Sequence, residues 1–462
     1  MKLTKYLAGL SAFAFTTAAY ADVTVNITGA TAFRAAALDS IKAKFVASGA
    51  AFKFAHDAAT SGGTTFDGAT RAIFIGTFPG VTGTTTIRCC FTGSVEGVRA
   101  VVPVTDPSPP TYYQPALLAG TTAIVDGAEL ANQGTTGALA LGTQSDIAFS
   151  DVTKAITPYA SYSLQPSSPA AGVVVFTMLT NEGSAITNVT SQQFRALMSG
   201  GFQPLSLFTG VASDTTNVFA TGRNDGSGTR SVYLGEVGYG VANVVKQYVT
   251  VASSSTALQA IQLVPAGGVN DSDPSTLGVQ LPAGSDIKNY NDTVHAITQS
   301  TASASTVWGQ DVAGNGGYNS GSTLRTDMGK TGTSGVTVFD ETGADAFGTP
   351  VRADLVTWLS LNDAVSARNN GAILCGFNGV KLNDIAASGS VMSATDKAKV
   401  TEGLYTAWGF ENMYRRNGLT SGDAVTVYDG IKAAIQTNLN AAGIPLADMH
   451  VGRPSDGGTV AP

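Results

Sequence analysis

The sequence predicts an α/β protein with two domains. Two observations predict this class. If residues 1–21 are removed as a leader, 441 of the 462 residues remain, which is more than one hydrophobic core usually supports. In addition, residues 172–179 form an almost uninterrupted apolar run, which is typical of a strand that helices cover on both faces of a sheet.

Local patterns predict the N-terminal elements. Residues 22–28 alternate like a strand, and residues 31–48 carry apolar side chains at helical spacing. A second helix is expected after Gly93. Residues 146–149 predict a short strand, and the proline-rich residues 106–115 predict a loop.

The middle of the chain predicts a second lobe. Residues 191–198 favour a short helix, residues 217–221 a strand, and residues 226–237 a loop that opens a helix. We place the crossing into this lobe at the apolar run. Residues 22–170 and 330–462 are then lobe I, insertions included, and residues 171–329 are lobe II.

The N-terminus predicts export. Lys2 and Lys5 precede an apolar run at residues 7–15, and residues 19–21 read Ala-Tyr-Ala before Asp22. This is the pattern of a secretory signal peptide, and its apolar run is well short of the roughly 20 residues that span a bilayer. The mature protein is therefore expected to begin at Asp22, in the periplasm or outside the cell, with no membrane span.

Charge argues against a nucleic-acid partner. The chain has 26 basic and 33 acidic side chains, and loss of the two leader lysines leaves 24 basic ones and a net charge of −9. Three cysteines, Cys89, Cys90 and Cys375, are too few for a disulfide scaffold. Cys375 paired with one of the other two, or three buried unpaired thiols, are both compatible with the sequence.

Residues 223–229 contain the parts of an anion site. Arg223 supplies a planar fork for two oxygens, and the Gly-rich turn through Gly226 and Gly228 leads into a helix, whose N-terminus has unpaired N–H groups. Residues 29–33 and 92–97 likewise place a hydroxyl before an expected helix. A single Ser or Thr at such a position is more often only a helix cap.

Four motifs together resemble the phosphate-binding component of bacterial phosphate ABC transporters, a family with the two-lobed periplasmic-binding-protein fold of type II, which implies a ligand cleft between two lobes. They are residues 29–33, Gly93-Ser94, Ser150-Asp151 and residues 223–229, in the family's order. The chain is longer than a simple member, since 57 residues separate Ser94 from Asp151 and are expected to include a surface insertion. Residues 358–364 and 371–380 resemble the strands that close the first lobe. The aromatic residues Tyr405, Trp408, Phe410 and Tyr414 have a spacing close to helical and are expected to be core residues, not site residues.

The resemblance implies a binding protein, not an enzyme, that captures inorganic phosphate without a cofactor or a metal and delivers it to an ABC permease. The first motif departs from the family, because Ala32 stands between Thr31 and Phe33, and this leaves open which backbone N–H there meets the ligand. The implied ligand-binding residues are Thr31, Ala32, Ser94, Asp151, Arg223, Ser227, Gly228 and Thr229.

Asp151 is the residue expected to select phosphate over sulfate. A carboxylate accepts a hydrogen bond from protonated phosphate, whereas sulfate has no proton near neutral pH and meets the carboxylate with lone pairs. An unpaired buried acceptor is costly, so sulfate is disfavoured. The alternative role for Asp151 is a solvated turn residue or a helix cap.

Other functions fit the sequence less well. A hydrolase lacks the full G-x-S-x-G pattern, and His56, His295 and His450 have no recognisable catalytic partner. The acidic residues 270–273 lack the ligand pattern of an EF-hand and favour a solvated turn. The stronger alternative is a cell-surface or matrix protein, structural or adhesive, that retains the phosphate-binding fold.

Overall fold

The computed structural model describes residues 22–57, 66, 69–103, 110–113, 136–138, 143–264, 312–318, 320–333, 335–382, 392–437 and 443–462. The expected leader, the acidic segment 270–273 and His295 lie outside these residues.

Strands of the described residues are β1 Val23–Gly29, β2 Lys53–His56, β3 Arg71–Gly76, β4 Thr85–Cys90, β5 Thr111–Tyr113, β6 Thr136–Ala138, β7 Ile147–Ser150, β8 Leu164–Gln165, β9 Ala170–Thr180, β10 Asn188–Val189, β11 Phe202–Pro204, β12 Asn217–Ala220, β13 Tyr248–Ser253, β14 Leu258–Leu263, β15 Thr337–Phe339, β16 Ala353–Ser360, β17 Ile373–Phe377, β18 Trp408–Arg416 and β19 Gly443–Ile444.

Helices of the same residues are α1 Arg34–Ala47, α2 Ser94–Val101, α3 Ser191–Gly200, α4 Ser206–Thr209, α5 Gly228–Glu236, α6 Gly321–Met328, α7 Leu361–Asn369, α8 Ala394–Thr401 and α9 Asp423–Thr437, with short 3-10 turns at Lys154–Ile156 and Leu446–Asp448. Side-chain caps begin several of them, such as the reciprocal Thr190 and Gln193 pair before α3. No helix in these ranges is both long enough and apolar enough to span a bilayer.

A mixed sheet of 14 strands organises the structure and confirms the predicted α/β class. Ten of its strands run in the order β11-β12-β16-β9-β18-β7-β1-β4-β3-β2. Strand β1 lies parallel to both β4 and β7, and β12 lies parallel to β16. The carboxyl ends of β1, β4 and β7 therefore meet at one edge of the sheet.

Strand β9 belongs to two halves of this sheet. Its residues 170–175 pair with β18, and its residues 176–180 pair with β16. The ten residues after Ala170 are all buried, as the apolar run predicted. Strands β16 and β17 lie in the half that contains β12, while the boundaries of the two lobes stay a prediction.

Three local predictions were wrong. Residues 361–364, expected to continue a strand from residue 358, form the first turn of α7. Residues 111–113, expected to be loop, form β5, which pairs with β6. The aromatic residues Tyr405, Trp408 and Tyr414 are buried as expected for core residues, but their near-helical spacing was misleading, because residues 408–416 form strand β18.

The three cysteines are free and buried. Cys89 and Cys90 lie on β4, and Cys375 lies on β17 in the other half of the sheet, where its Sγ donates to the carbonyl of Ile186 at 3.2 Å. Of the two arrangements compatible with the sequence, the structure has the unpaired thiols.

Candidate functional site

The ends of β1, β4 and β7 are drawn together at glycines. Gly29 has φ 125°, and a Cβ there would lie 2.0 Å from the carbonyl oxygen of Phe149. The N–H of Ala30 donates to that same oxygen at 2.9 Å, and the N–H of Gly93 donates to the carbonyl of Gly29 at 2.9 Å. Three of the predicted motifs therefore start from one edge of the sheet, where α/β proteins usually bind ligands.

The fourth motif reaches the same edge from the other half of the sheet. The N–H of Val95, in the first turn of α2, donates to the carbonyl of Gly226 at 3.1 Å. Gly93 has φ 144°, and a Cβ there would lie 2.4 Å from the same carbonyl oxygen. The turn that opens α5 thus sits directly on the N-terminus of α2.

Ser94, Asp151 and Gly228 meet at this junction. The N–H of Asp151 donates to Ser94 Oγ at 3.1 Å. A Cβ on Gly228 would lie 2.1 Å from Ser94 Oγ and 2.9 Å from Asp151 Oδ2. Only a residue without a side chain fits there, so Gly228 is required for the approach of α5 to the other two.

Arg223 joins the two halves of the site. Its Nη1 donates to Thr31 Oγ1 at 3.0 Å, and its Nε donates to the carbonyl of Tyr318 at 2.9 Å. The side chain of Arg223 is 1% exposed, and Thr31 is also buried. A fixed guanidinium and a hydroxyl therefore lie together in a buried environment.

Helix capping accounts for Ser227 but not for Thr31 or Ser94. Ser227 is the N-cap of α5 and accepts from the N–H of Arg230 at 3.4 Å. Helix α1 begins after Phe33, and Gly93 precedes α2, each without a side-chain cap. The hydroxyls of Thr31 and Ser94 instead contact the arginine and the aspartate described above.

The remaining predicted residues lie beside these contacts. Ala32 follows Thr31 and is buried, and Thr229 follows Gly228 in the first turn of α5 and is 2% exposed. The predicted set thus falls in one buried region, joined by side-chain contacts from Thr31 to Arg223 and from Ser94 to Asp151.

Burial dominates the electrostatics of the site. It raises the pKa of Asp151, while the neighbouring side chains of Glu411 and Ser94 and the charge of Arg223 act in the opposite direction. It also lowers the pKa of Arg223 to about 10, which leaves the guanidinium charged at neutral pH. Burial raises the pKa of Asp225 to about 6, against the charge of Arg230.

Sequence reasoning missed several residues of this region. Tyr318 supplies the carbonyl that holds Arg223, and its hydroxyl donates to Asp327 Oδ2 at 2.7 Å. Arg34, at the start of α1, is 3% exposed and its charge acts on Arg223. Arg34 directly follows the first motif and could have been found there, whereas Tyr318 stands 95 residues after Arg223 and carries no local signal.

The site offers a binding chemistry of donors around one acceptor. Hydroxyls, the guanidinium and the start of α5 suit an oxyanion, and Asp151 supplies a carboxylate. In the ranges that the structure describes, no group of three or more His, Cys, Asp or Glu side chains is arranged to hold a metal ion.

Comparisons with known proteins found solved structures only. No family model and no curated protein matches the chain. A candidate phosphate ABC transporter substrate-binding protein with bound phosphate from Clostridium perfringens is 10% identical, with a TM-score of 0.40 and coverage of 92% of this chain and 99% of the other. An ABC-type phosphate transport receptor from Vibrio cholerae is 11% identical, with a TM-score of 0.36 and coverage of 88% and 93%.

A phosphate-binding protein from Stenotrophomonas maltophilia is 14% identical, with a TM-score of 0.33 and coverage of 92% of this chain and 91% of the other. All three TM-scores lie below 0.5. The evidence for a function of this chain is therefore the geometry of its own site.

Proposed function

We propose that the protein is an extracytoplasmic solute-binding protein that captures inorganic phosphate for uptake by an ABC permease. The observation that carries the proposal is the meeting of four distant segments at one buried point. Arg223 contacts Thr31 at 3.0 Å, and Gly228 approaches Ser94 and Asp151 so closely that no side chain would fit.

This arrangement suits a small tetrahedral oxyanion. The buried guanidinium and hydroxyls donate to its oxygens, and charge-assisted donors of this kind give the strongest hydrogen bonds. Asp151, 1% exposed, is an acceptor that a protonated oxyanion satisfies and sulfate does not. Phosphate and arsenate fulfil both requirements.

The two described histidines have contacts outside the predicted site. His56 is buried, and its ring packs against the rings of Phe54 and Phe66. His450 is exposed and pairs with Glu402. Nucleophilic catalysis by Ser94 or Ser227 would require an imidazole base within hydrogen-bond reach of the hydroxyl.

Mass spectrometry for co-purified phosphate, followed by calorimetry on stripped protein, tests the proposal. We expect saturable binding of phosphate with one ion per chain, competition by arsenate and little response to sulfate. Equal affinity for phosphate and sulfate, or no binding of either, would rule the proposal out.

A further inference from the structure

A second carboxyl group lies next to Asp151. Strand β18 runs antiparallel to β7 and places Asn412 opposite Ser150, so that Glu411 comes beside Asp151. The backbone of β18 also lies close to that of Asp151, because a Cβ on Gly409 would lie 2.8 Å from the carbonyl oxygen of Asp151.

Strand β18 is irregular at this position. Its pairing with β9 shifts between Glu411, opposite Gly172, and Asn412, opposite Ala170. An irregularity of this type re-aims a side chain in a strand. The Nδ2 of Asn412 donates to the carbonyl of Ser150 at 3.1 Å, which fixes β18 against the end of β7.

Both carboxyl groups are deeply buried and short of donors. Glu411 is 0% exposed, and neither of its carboxyl oxygens has a hydrogen-bond partner among the described residues. Asp151 Oδ1 is equally buried and also has none there. Two adjacent ionised carboxylates in such a place would repel each other and leave three acceptors unsatisfied, whereas one proton between them turns one carboxyl into a donor.

The surroundings decide which carboxyl holds the proton. The charge of Arg223 and the hydroxyl of Ser94 favour an ionised Asp151, against the negative charge of Asp456 in the C-terminal segment. At Glu411 the backbone of Ser150 favours the ionised form. Burial, followed by the charge of Asp151, outweighs this effect and raises the pKa of Glu411 well above the usual range, and the charge of Glu411 also acts on the phenol of Tyr414 on the same strand.

We infer that Glu411 is a positioning residue for selectivity. Its carboxyl group is protonated and donates a hydrogen bond to Asp151 Oδ1. Asp151 Oδ2 then faces the ligand as an ionised acceptor. Oδ2 is the oxygen that lies next to Gly228, at the junction of α2 and α5. The role in selectivity rests on the proposed function, while the location of the proton does not.

The test compares two variants of Glu411. Glu411→Gln keeps a donor, because its amide can hydrogen-bond to Asp151 without titrating. Glu411→Leu removes the donor, so that Asp151 gains a proton more easily and loses its fixed orientation. We expect the phosphate-to-sulfate affinity ratio to stay near that of wild type in Glu411→Gln and to fall about tenfold or more in Glu411→Leu.

The proton is tested separately by infrared spectroscopy at neutral pH on ligand-free protein. We expect a protonated-carboxyl C=O band in wild type that is absent from Glu411→Gln. Asp396→Asn is the matched control, since Asp396 is equally buried but accepts from Lys399 Nζ at 2.7 Å, and it should leave the band and the affinity ratio unchanged.

A band that persists in Glu411→Gln overturns the location of the proton. An affinity ratio that is the same in wild type, Glu411→Gln and a folded Glu411→Leu overturns the role in selectivity. If Glu411→Leu does not fold, a ratio in Glu411→Gln that falls as far as in Asp151→Asn overturns it. Wild type that binds neither anion contradicts the proposed function alone, because the infrared result still decides where the proton is.

Discussion

Arg223 Nη1 donates to Thr31 Oγ1 at 3.0 Å across 192 residues of sequence. The contact connects the half of the sheet that contains β12 with the half that contains β1. We expect Arg223→Ala to weaken phosphate binding by tens- to thousands-fold, because truncating one partner of a buried charged contact costs on the order of 2–5 kcal/mol.

Calorimetry measures this loss, and Thr31→Val is the comparison, for which we expect a smaller effect of about 1 kcal/mol. Thermal unfolding of both variants checks that they remain folded, since Arg223 also holds the carbonyl of Tyr318. A change of less than a few-fold in folded Arg223→Ala would remove Arg223 from the site.

Asp151→Asn should change selectivity more than affinity. The amide keeps the shape of the side chain but can turn a donor toward the ligand, so sulfate gains relative to phosphate. Loss of a negative charge favours any anion, whereas loss of the charged acceptor disfavours a protonated one, and the affinity ratio is therefore the measurement of choice. An unchanged ratio in competition binding would show that Asp151 does not select the ligand.

Gly228→Ala should abolish or strongly weaken binding. Its methyl group would lie 2.1 Å from Ser94 Oγ, a distance that Cβ atoms do not tolerate, so that α5 must move away from α2. The matched control is Gly452→Ala, whose methyl group would meet no atom within 4 Å. Equal phosphate affinity in the two variants would contradict the close approach.

Stability should depend on pH through Glu411. An unfolded glutamate loses its proton near pH 4.3, whereas the raised pKa of Glu411 keeps the folded residue protonated. The folded state then binds more protons above that pH, so the stabilisation is complete below it and declines as the pH rises toward the folded pKa.

The free energy of unfolding of wild type, relative to Glu411→Gln, should therefore fall by up to about 1.4 kcal/mol per pH unit. Urea denaturation of both proteins between pH 5 and 8 measures the difference. A difference that is constant over this range would mean that Glu411 is ionised in the folded protein.

The three thiols should be inert in the folded protein. Burial raises the pKa of Cys90 and of Cys375 to about 11, so little thiolate is present at neutral pH. A thiol reagent should label the native chain slowly and give three adducts per chain after unfolding without reductant. One adduct would reveal a disulfide.

Local sequence signals predicted many elements of the fold and singled out the residues of the candidate site. The buried strand at residues 172–179 was observed as β9, and the helices expected after Gly93 and around residues 191–198 begin at Ser94 and Ser191. In each case a short stretch of sequence contains the whole cause, such as an apolar run or a glycine before a hydroxyl.

Glu411 could not be predicted in this way. Its importance comes from a strand pairing with β7, more than 250 residues earlier in the chain, and no local motif marks it. The aromatic residues around it misled for a related reason. Trp408, Phe410 and Tyr414 fit a period of two, but the spacings from Tyr405 to Trp408 and from Phe410 to Tyr414 also fit a helix, so these few residues do not distinguish strand from helix.

Strand β9 connects the two halves of the sheet directly. Its partner changes from β18 at Val175 to β16 at Phe176, so a rotation that separated Arg223 from Thr31 would be concentrated at that peptide. Val175 and Phe176 are both fully buried, and both pair with neighbouring strands. The strand therefore resists twisting here more than an exposed loop would. If the protein captures a solute as proposed, β9 is the strand that a rotation of one half-sheet against the other would have to twist.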